Sequence, residues 1–111
     1  MPVQKAASIK SHVFREGASR SLVHTENLMV VVIDFFNGPW SEPDPYHDHV
    51  HEQITYVASG EIVFMCKGEP DQNLQAGDMF MVPSGVPHTI KLLSAKARLV
   101  DSFSPVREDF L

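Results

Sequence analysis

The chain has one cysteine, one tryptophan and no apolar run longer than the six residues 28–33. A single cysteine excludes a disulfide within the chain. Cys66 sits in the apolar setting EIVFMCKG, so it reads as a packed thiol rather than a reactive one. A run of six residues is far short of the roughly 20 needed to cross a bilayer. The opening MPVQKAASIKSHVFREGASR lacks the apolar core of a secretion signal. The expectation is therefore a cytoplasmic protein with no membrane partner. Positive charge is scarce, with 9 Lys and Arg against 14 Asp and Glu and a net charge of -5. That balance argues against nucleic-acid binding, which needs a basic footprint. It leaves room for a small anionic substrate, provided that a local positive charge such as a metal ion receives it. Helical periodicity is also missing: no window of useful length repeats at 3.6 residues.

What remains is β structure. A length of 111 residues, 43% hydrophobic and 21% charged, suits one globular domain spanning 1–111. Eight prolines and six glycines punctuate the chain. Between them lie short runs rich in Val, Ile, Phe, Thr and Tyr, which predict strands at 21–24, 27–36, 53–58, 61–67, 78–82, 88–93 and 97–103. Many short strands separated by turns imply an antiparallel sandwich or barrel. The run LMVVVIDFF is apolar on both parities, whereas a strand with one wet face would alternate. A homodimer that covers the second face is expected; the alternative is cover by the N-terminal segment or by a second sheet.

The stretch PYHDHVHEQITYVASGE places His47, His49, His51 and Gln53 on alternate positions. On a straight strand these side chains would share one face. Two imidazoles at i and i+2 on an inner wall can hold one metal, given ligands from neighbouring strands. The pattern also fits an ordinary polar strand face. A second stretch, AGDMFMVPSGVPHTIKLL, shifts the balance. Its PSGVP is a rigid turn, and His88 opens the next strand with the parity of Ile90 and Leu92. His88 thus points to the apolar side, toward the same interior as His47 and His49.

These two stretches resemble the cupin motifs. The first motif, G-x5-H-x-H-x3–4-E-x6-G, is matched by His47, His49, Gln53 and Gly60; the second, G-x5-P-x-G-x2-H-x3-N, by Gly77, Pro83, Gly85 and His88. Sixteen residues, 61–76, separate them. Ser41 stands where the first motif opens on glycine, Leu92 where the second closes on asparagine, and Gln53 where the glutamate is usual. The resemblance implies a cupin double-stranded β-helix, a jelly-roll barrel with its core at about 27–104. It also implies one divalent metal, Zn, Ni, Fe, Co or Mn, on His47, His49, Gln53 and His88. Four neutral ligands would leave the metal its full charge, which suits Lewis-acid chemistry. Cupins bend after the second histidine, so His51 is expected to be a neighbour of the site rather than a ligand.

The ending ARLVDSFSPVREDFL gives Asp101 the parity of Leu99 and Phe103. A carboxylate on an apolar face is costly unless paired or used. It is either a candidate acid/base or a group bonded to backbone or Arg107. Arg107 either clamps a substrate carboxylate or forms a surface ion pair with Glu108 or Asp109. With HDHVHEQ and the second motif, this ending resembles the small cupins of the pectin-degradation (KdgF-type) family. That resemblance implies opening of 4,5-unsaturated uronates, released from pectate or alginate, to linear 5-keto-4-deoxyuronate. It implies an isomerase-type enzyme of uronate metabolism with a small sugar-acid substrate, lined by Asp101, Phe103 and Arg107. The alternatives are another metal-dependent cupin enzyme, a dioxygenase or sugar isomerase, and a non-catalytic cupin that binds a small anion.

Overall fold

A computed structural model describes residues 2–111. It contains nine strands: β1 (His12–Arg15), β2 (Ala18–His24), β3 (Met29–Phe35), β4 (Glu52–Ser59), β5 (Glu61–Cys66), β6 (Gln72–Gln75), β7 (Met79–Val82), β8 (His88–Leu92) and β9 (Ala97–Ser104). Short 3-10 turns lie at Ala6–Ser8 and Glu108–Phe110. All pairings are antiparallel, in a six-stranded sheet ordered β1-β2-β3-β9-β4-β7 and a three-stranded sheet ordered β6-β5-β8. The two sheets form a jelly roll. Among the described residues, no helix is long and apolar enough to cross a membrane.

Period-2 alternation builds the interior. In β4, Gln53, Thr55 and Val57 are buried while Glu52, Ile54 and Tyr56 face out; in β9, Ala97, Leu99, Asp101 and Phe103 are buried. The inner faces of the two sheets meet in one apolar cluster that joins Val57, Phe80 and Leu99 to Ile62, Phe64 and Leu92. Phe64 and Phe80 stack across the gap with ring centroids 4.0 Å apart. Cys66 is buried in this cluster as a free thiol, and burial raises its pKa, as a packed and unreactive cysteine requires.

Two edge strands were not legible in the sequence. β1 (HVFR) and β6 (QNLQ) each lie at the end of their sheet and contain no fully buried residue. An edge strand that buries so little carries no apolar alternation to read. β2 also begins three residues earlier than expected, at Ala18, which brings Arg20 onto the sheet. β3 buries Met29, Val31 and Phe35 on its inner parity, while Val30 and Val32 face outward and are only partly covered. The N-terminal segment contributes to that cover: Val3 and Ile9 share a surface groove with Val23, Leu28 and Val30.

Candidate metal centre and substrate pocket

The histidine stretch is not a straight strand. His47 pairs with His88 in an isolated antiparallel bridge, with N–H to O distances of 3.0 and 2.9 Å in the two directions. The Gly85 amide then donates to the His49 carbonyl at 2.8 Å. The chain bends at Val50 and His51 and enters β4 at Glu52. Within five residues it has passed from the small sheet to the large one. His47 and His49 therefore come from one sheet, Gln53 from the other, and His88 faces both. Gly85, at φ +77°, supplies the left-handed turn that brings His88 into register.

The ring nitrogens of His47, His49 and His88 lie within 4.8 Å of one another. For two of them, hydrogen bonds fix which nitrogen faces the centre. His88 Nδ1 donates to the Val86 carbonyl at 2.8 Å and His49 Nδ1 to the His51 carbonyl at 2.9 Å, so each neutral ring presents a lone pair on Nε2. His88 Nε2 is buried without a hydrogen-bond partner among the described residues. His49 Nε2 faces Gln53 Oε1 at 3.1 Å. The Gln53 amide nitrogen donates to Thr55 Oγ1 at 2.9 Å, which commits its oxygen to the centre. Two acceptors at that separation repel unless a cation lies between them. Protonating the rings is disfavoured: burial is the largest cause lowering the pKa of all three, with His88 brought down to about 4. Three neutral imidazoles and an amide oxygen aimed at one point make a donor set that fits a divalent metal.

His51 takes no place in that convergence. Its carbonyl orients His49, while its ring lies 5.6 Å from the His49 ring with Nδ1 buried and unpaired among the described residues.

Asp101 lies next to this donor set. Gln53 Nε2 donates to Thr55 Oγ1 and, at 3.5 Å, to Asp101 Oδ1; Thr55 Oγ1 in turn donates to the same Oδ1. Both bonds fall on one oxygen, which leaves Oδ2 for the cavity. Burial pushes the Asp101 pKa up to about 6, opposed by the Thr55 hydrogen bond, the Arg107 charge and Gln53. Thr55 was missed in the sequence although it shares the parity of Gln53.

His47, Gln53, His88, Asp101 and Phe103 line one cavity of about 200 Å3 between the sheets. Phe103 packs edge-on against His49, with centroids 5.6 Å apart. Phe110 closes over Phe103 in the same manner at 5.9 Å. Arg107 sits over the Phe110 ring at 4.0 Å and the Phe103 ring at 5.2 Å. Its guanidinium grips Asp109 through two hydrogen bonds of 3.3 and 2.8 Å. The ion pair weighed from sequence is thus present, and Arg107 stands beside the cavity rather than in its wall.

The cupin domain model matches residues 38–103, and the pectin degradation protein KdgF of Dickeya dadantii is 35% identical over 86% of each chain. The chain belongs to the cupin family, in its KdgF-type branch. Two solved cupins share its fold along nearly the whole length. An RmlC-like cupin from Shewanella frigidimarina superposes with a TM-score of 0.89 at 32% identity, covering 100% of this chain and 96% of the other. KdgF from a Halomonas species does so at 0.86 and 30% identity, covering 96% and 97%. In this cupin the family's glutamate position is Gln53, and the structure gives that glutamine a partner on each side: His49 at its oxygen, Thr55 at its nitrogen.

Proposed function

We propose that this cupin opens the ring of 4,5-unsaturated uronates to linear 5-keto-4-deoxyuronate. The observation that carries the proposal is the buried Asp101 carboxylate with one free oxygen, in one cavity with His47, His88 and Gln53, where His49 completes the convergent donor set. The relationship to pectin degradation proteins along 86% of the chain supports the substrate class.

His47, His49, Gln53 and His88 would hold a divalent metal, which when bound supplies a Lewis acid toward a substrate oxygen. The chain's own groups do the rest. Asp101 Oδ2 takes the proton of the anomeric hydroxyl. As that O–H bond breaks, the C1 carbonyl forms and the bond from C1 to the ring oxygen opens. Its electrons stay on the former ring oxygen as an enolate; the proton held by Asp101 returns through solvent to C4, which gives the C5 ketone and restores the carboxylate. A base with a pKa near 6 is ionised at neutral pH yet remains basic enough to act. Phe103 packs the sugar, and Arg107 adds positive charge at the mouth. Such an opening needs positioning and polarisation, not a covalent intermediate.

The test is NMR of freshly released unsaturated galacturonate with and without the protein, after elemental analysis for metal. Faster loss of the ring-form signals with the protein is the expected result. Uptake of dioxygen would point to an oxygenase. Binding of the sugar without acceleration would point to a sensor or storage module.

We also propose that the protein is a homodimer through the outer face of the large sheet. Ile54 pairs with Met81 and Tyr56 with Met79 across β4 and β7, and these four are 54%, 73%, 44% and 65% exposed. The patch continues through Val100 to Val32 and Val30 by strand register. A contiguous apolar sheet face of this kind is unusual on a monomer, and a second copy offers the matching surface. Light scattering after size exclusion is expected to give twice the chain mass, and Met81→Glu with Tyr56→Asp the single mass. A monomeric parent protein would refute this.

A further inference from the structure

Arg20 lies outside both histidine stretches and outside the C-terminal segment. It sits on the inner parity of β2, opposite Ile33, which in turn pairs with Leu99. Its side chain lines the same cavity as His47, Asp101 and Phe103. The chain has four arginines. Arg15, Arg98 and Arg107 each hold a carboxylate, those of Asp44, Asp34 and Asp109. Among the described residues Arg20 has none within ion-pair distance. Instead its guanidinium carbon lies 3.9 Å from the Phe110 ring centre and 4.7 Å from that of Phe14. A half-buried charge among aromatic and aliphatic side chains is costly without an anion. Stacking on rings recovers part of that cost through the guanidinium faces. It leaves the N–H edge free, and that edge is the fork that matches a carboxylate.

We propose that Arg20 receives the carboxylate of the sugar acid and so sets the preference of this site for acids over their neutral counterparts. The inference rests on the ring-opening function proposed above. The placement fits one sugar ring: with strands about 4.8 Å apart and a rise of about 3.3 Å per residue, the Cα atoms of Arg20 and Asp101 are on the order of 12 Å apart. An arginine side chain and one hexuronate ring bridge that span, with the carboxylate at Arg20 and the anomeric hydroxyl at Asp101. Arg107 shares the Phe110 ring with Arg20, so an anion at Arg20 also relieves the repulsion between the two cations.

The experiment compares the parent protein with Arg20→Met and Arg20→Lys on unsaturated galacturonate and its methyl ester, and titrates each with D-galacturonate and methyl galacturonate as non-reacting probes. Losing a charge-assisted fork is expected to lower the acid-over-ester ratio of kcat/KM on the order of 10- to 100-fold in Arg20→Met. The ratio of probe affinities should fall in parallel, with a smaller fall in Arg20→Lys, which keeps the charge and loses the fork. An equal loss for acid and ester would assign Arg20 to packing under Phe110 and overturn the proposal, as would an unchanged ratio. If Arg20→Met does not fold, the partial fall in Arg20→Lys decides the matter. A parent protein that binds galacturonate through Arg20 without turnover would sink the ring-opening function and leave the carboxylate site standing. Turnover with no acid preference would do the reverse.

Discussion

Asp101→Asn is expected to lose most of the acceleration of ring opening, on the order of 100- to 10,000-fold as for removal of a positioned general base, while elemental analysis finds the metal retained. The asparagine preserves shape and the acceptor that Thr55 reaches. What it removes is the proton affinity of Oδ2. The residue is only 4% exposed, and burial pushes the carboxylate pKa up to about 6. Its two hydrogen-bond donors hold Oδ1 and keep the group from rotating away. Thr55 links Gln53 to Asp101 through one hydroxyl, so the metal-facing amide and the base are parts of one chain of hydrogen bonds. Thr55→Val would break that chain without touching the substrate. Unchanged turnover of Asp101→Asn on unsaturated galacturonate would rule out the base role.

How far the site could be read from sequence depended on strand parity. Parity placed Asp101 with Leu99 and Phe103, and all three are buried together. It placed His88 on the inner face, where it is 3% exposed. It failed at 47–53, because parity assumes a straight strand and the chain there changes sheets. Four residues that looked equivalent separate at the Val50–His51 bend: His47 and His49 belong to the arm paired with 85–88, Gln53 to β4, and His51 to the corner between them. The bend is a property of the two-sheet architecture, which the cupin motifs encode and local alternation does not. Arg20 was out of reach for a related reason. Its strand was expected to begin at residue 21, because ASRS shows no apolar alternation, so the residue that faces the cavity fell just outside the expected strand. Arg107 was legible as a residue but not as a geometry: sequence spacing cannot tell whether a guanidinium two residues from Asp109 turns to it or to a ligand.

His88→Ala is expected to abolish both bound metal and catalysis, whereas His51→Ala should keep the metal. The distinction follows from the lone pairs. His88 Nε2 is buried, unprotonated at neutral pH and without a partner among the described residues, and the His49 and Gln53 acceptors face each other at 3.1 Å. A folded state that gathers such groups is stabilised by any cation that they share and strained without it. Metal that binds the folded chain alone adds about 2.7 kcal/mol at a hundredfold excess over its dissociation constant. Chelation should therefore lower the melting temperature of the parent protein, on the order of 10 °C for a domain of this size. The same chelator should leave His88→Ala unmoved, because that variant has no metal to lose. His51 contributes its carbonyl to His49, a bond that alanine retains, so His51→Ala should still respond to the chelator. A melting temperature that ignores chelation in the parent protein, or a metal content in His88→Ala equal to that of the parent, would mean that these four groups do not form the metal site.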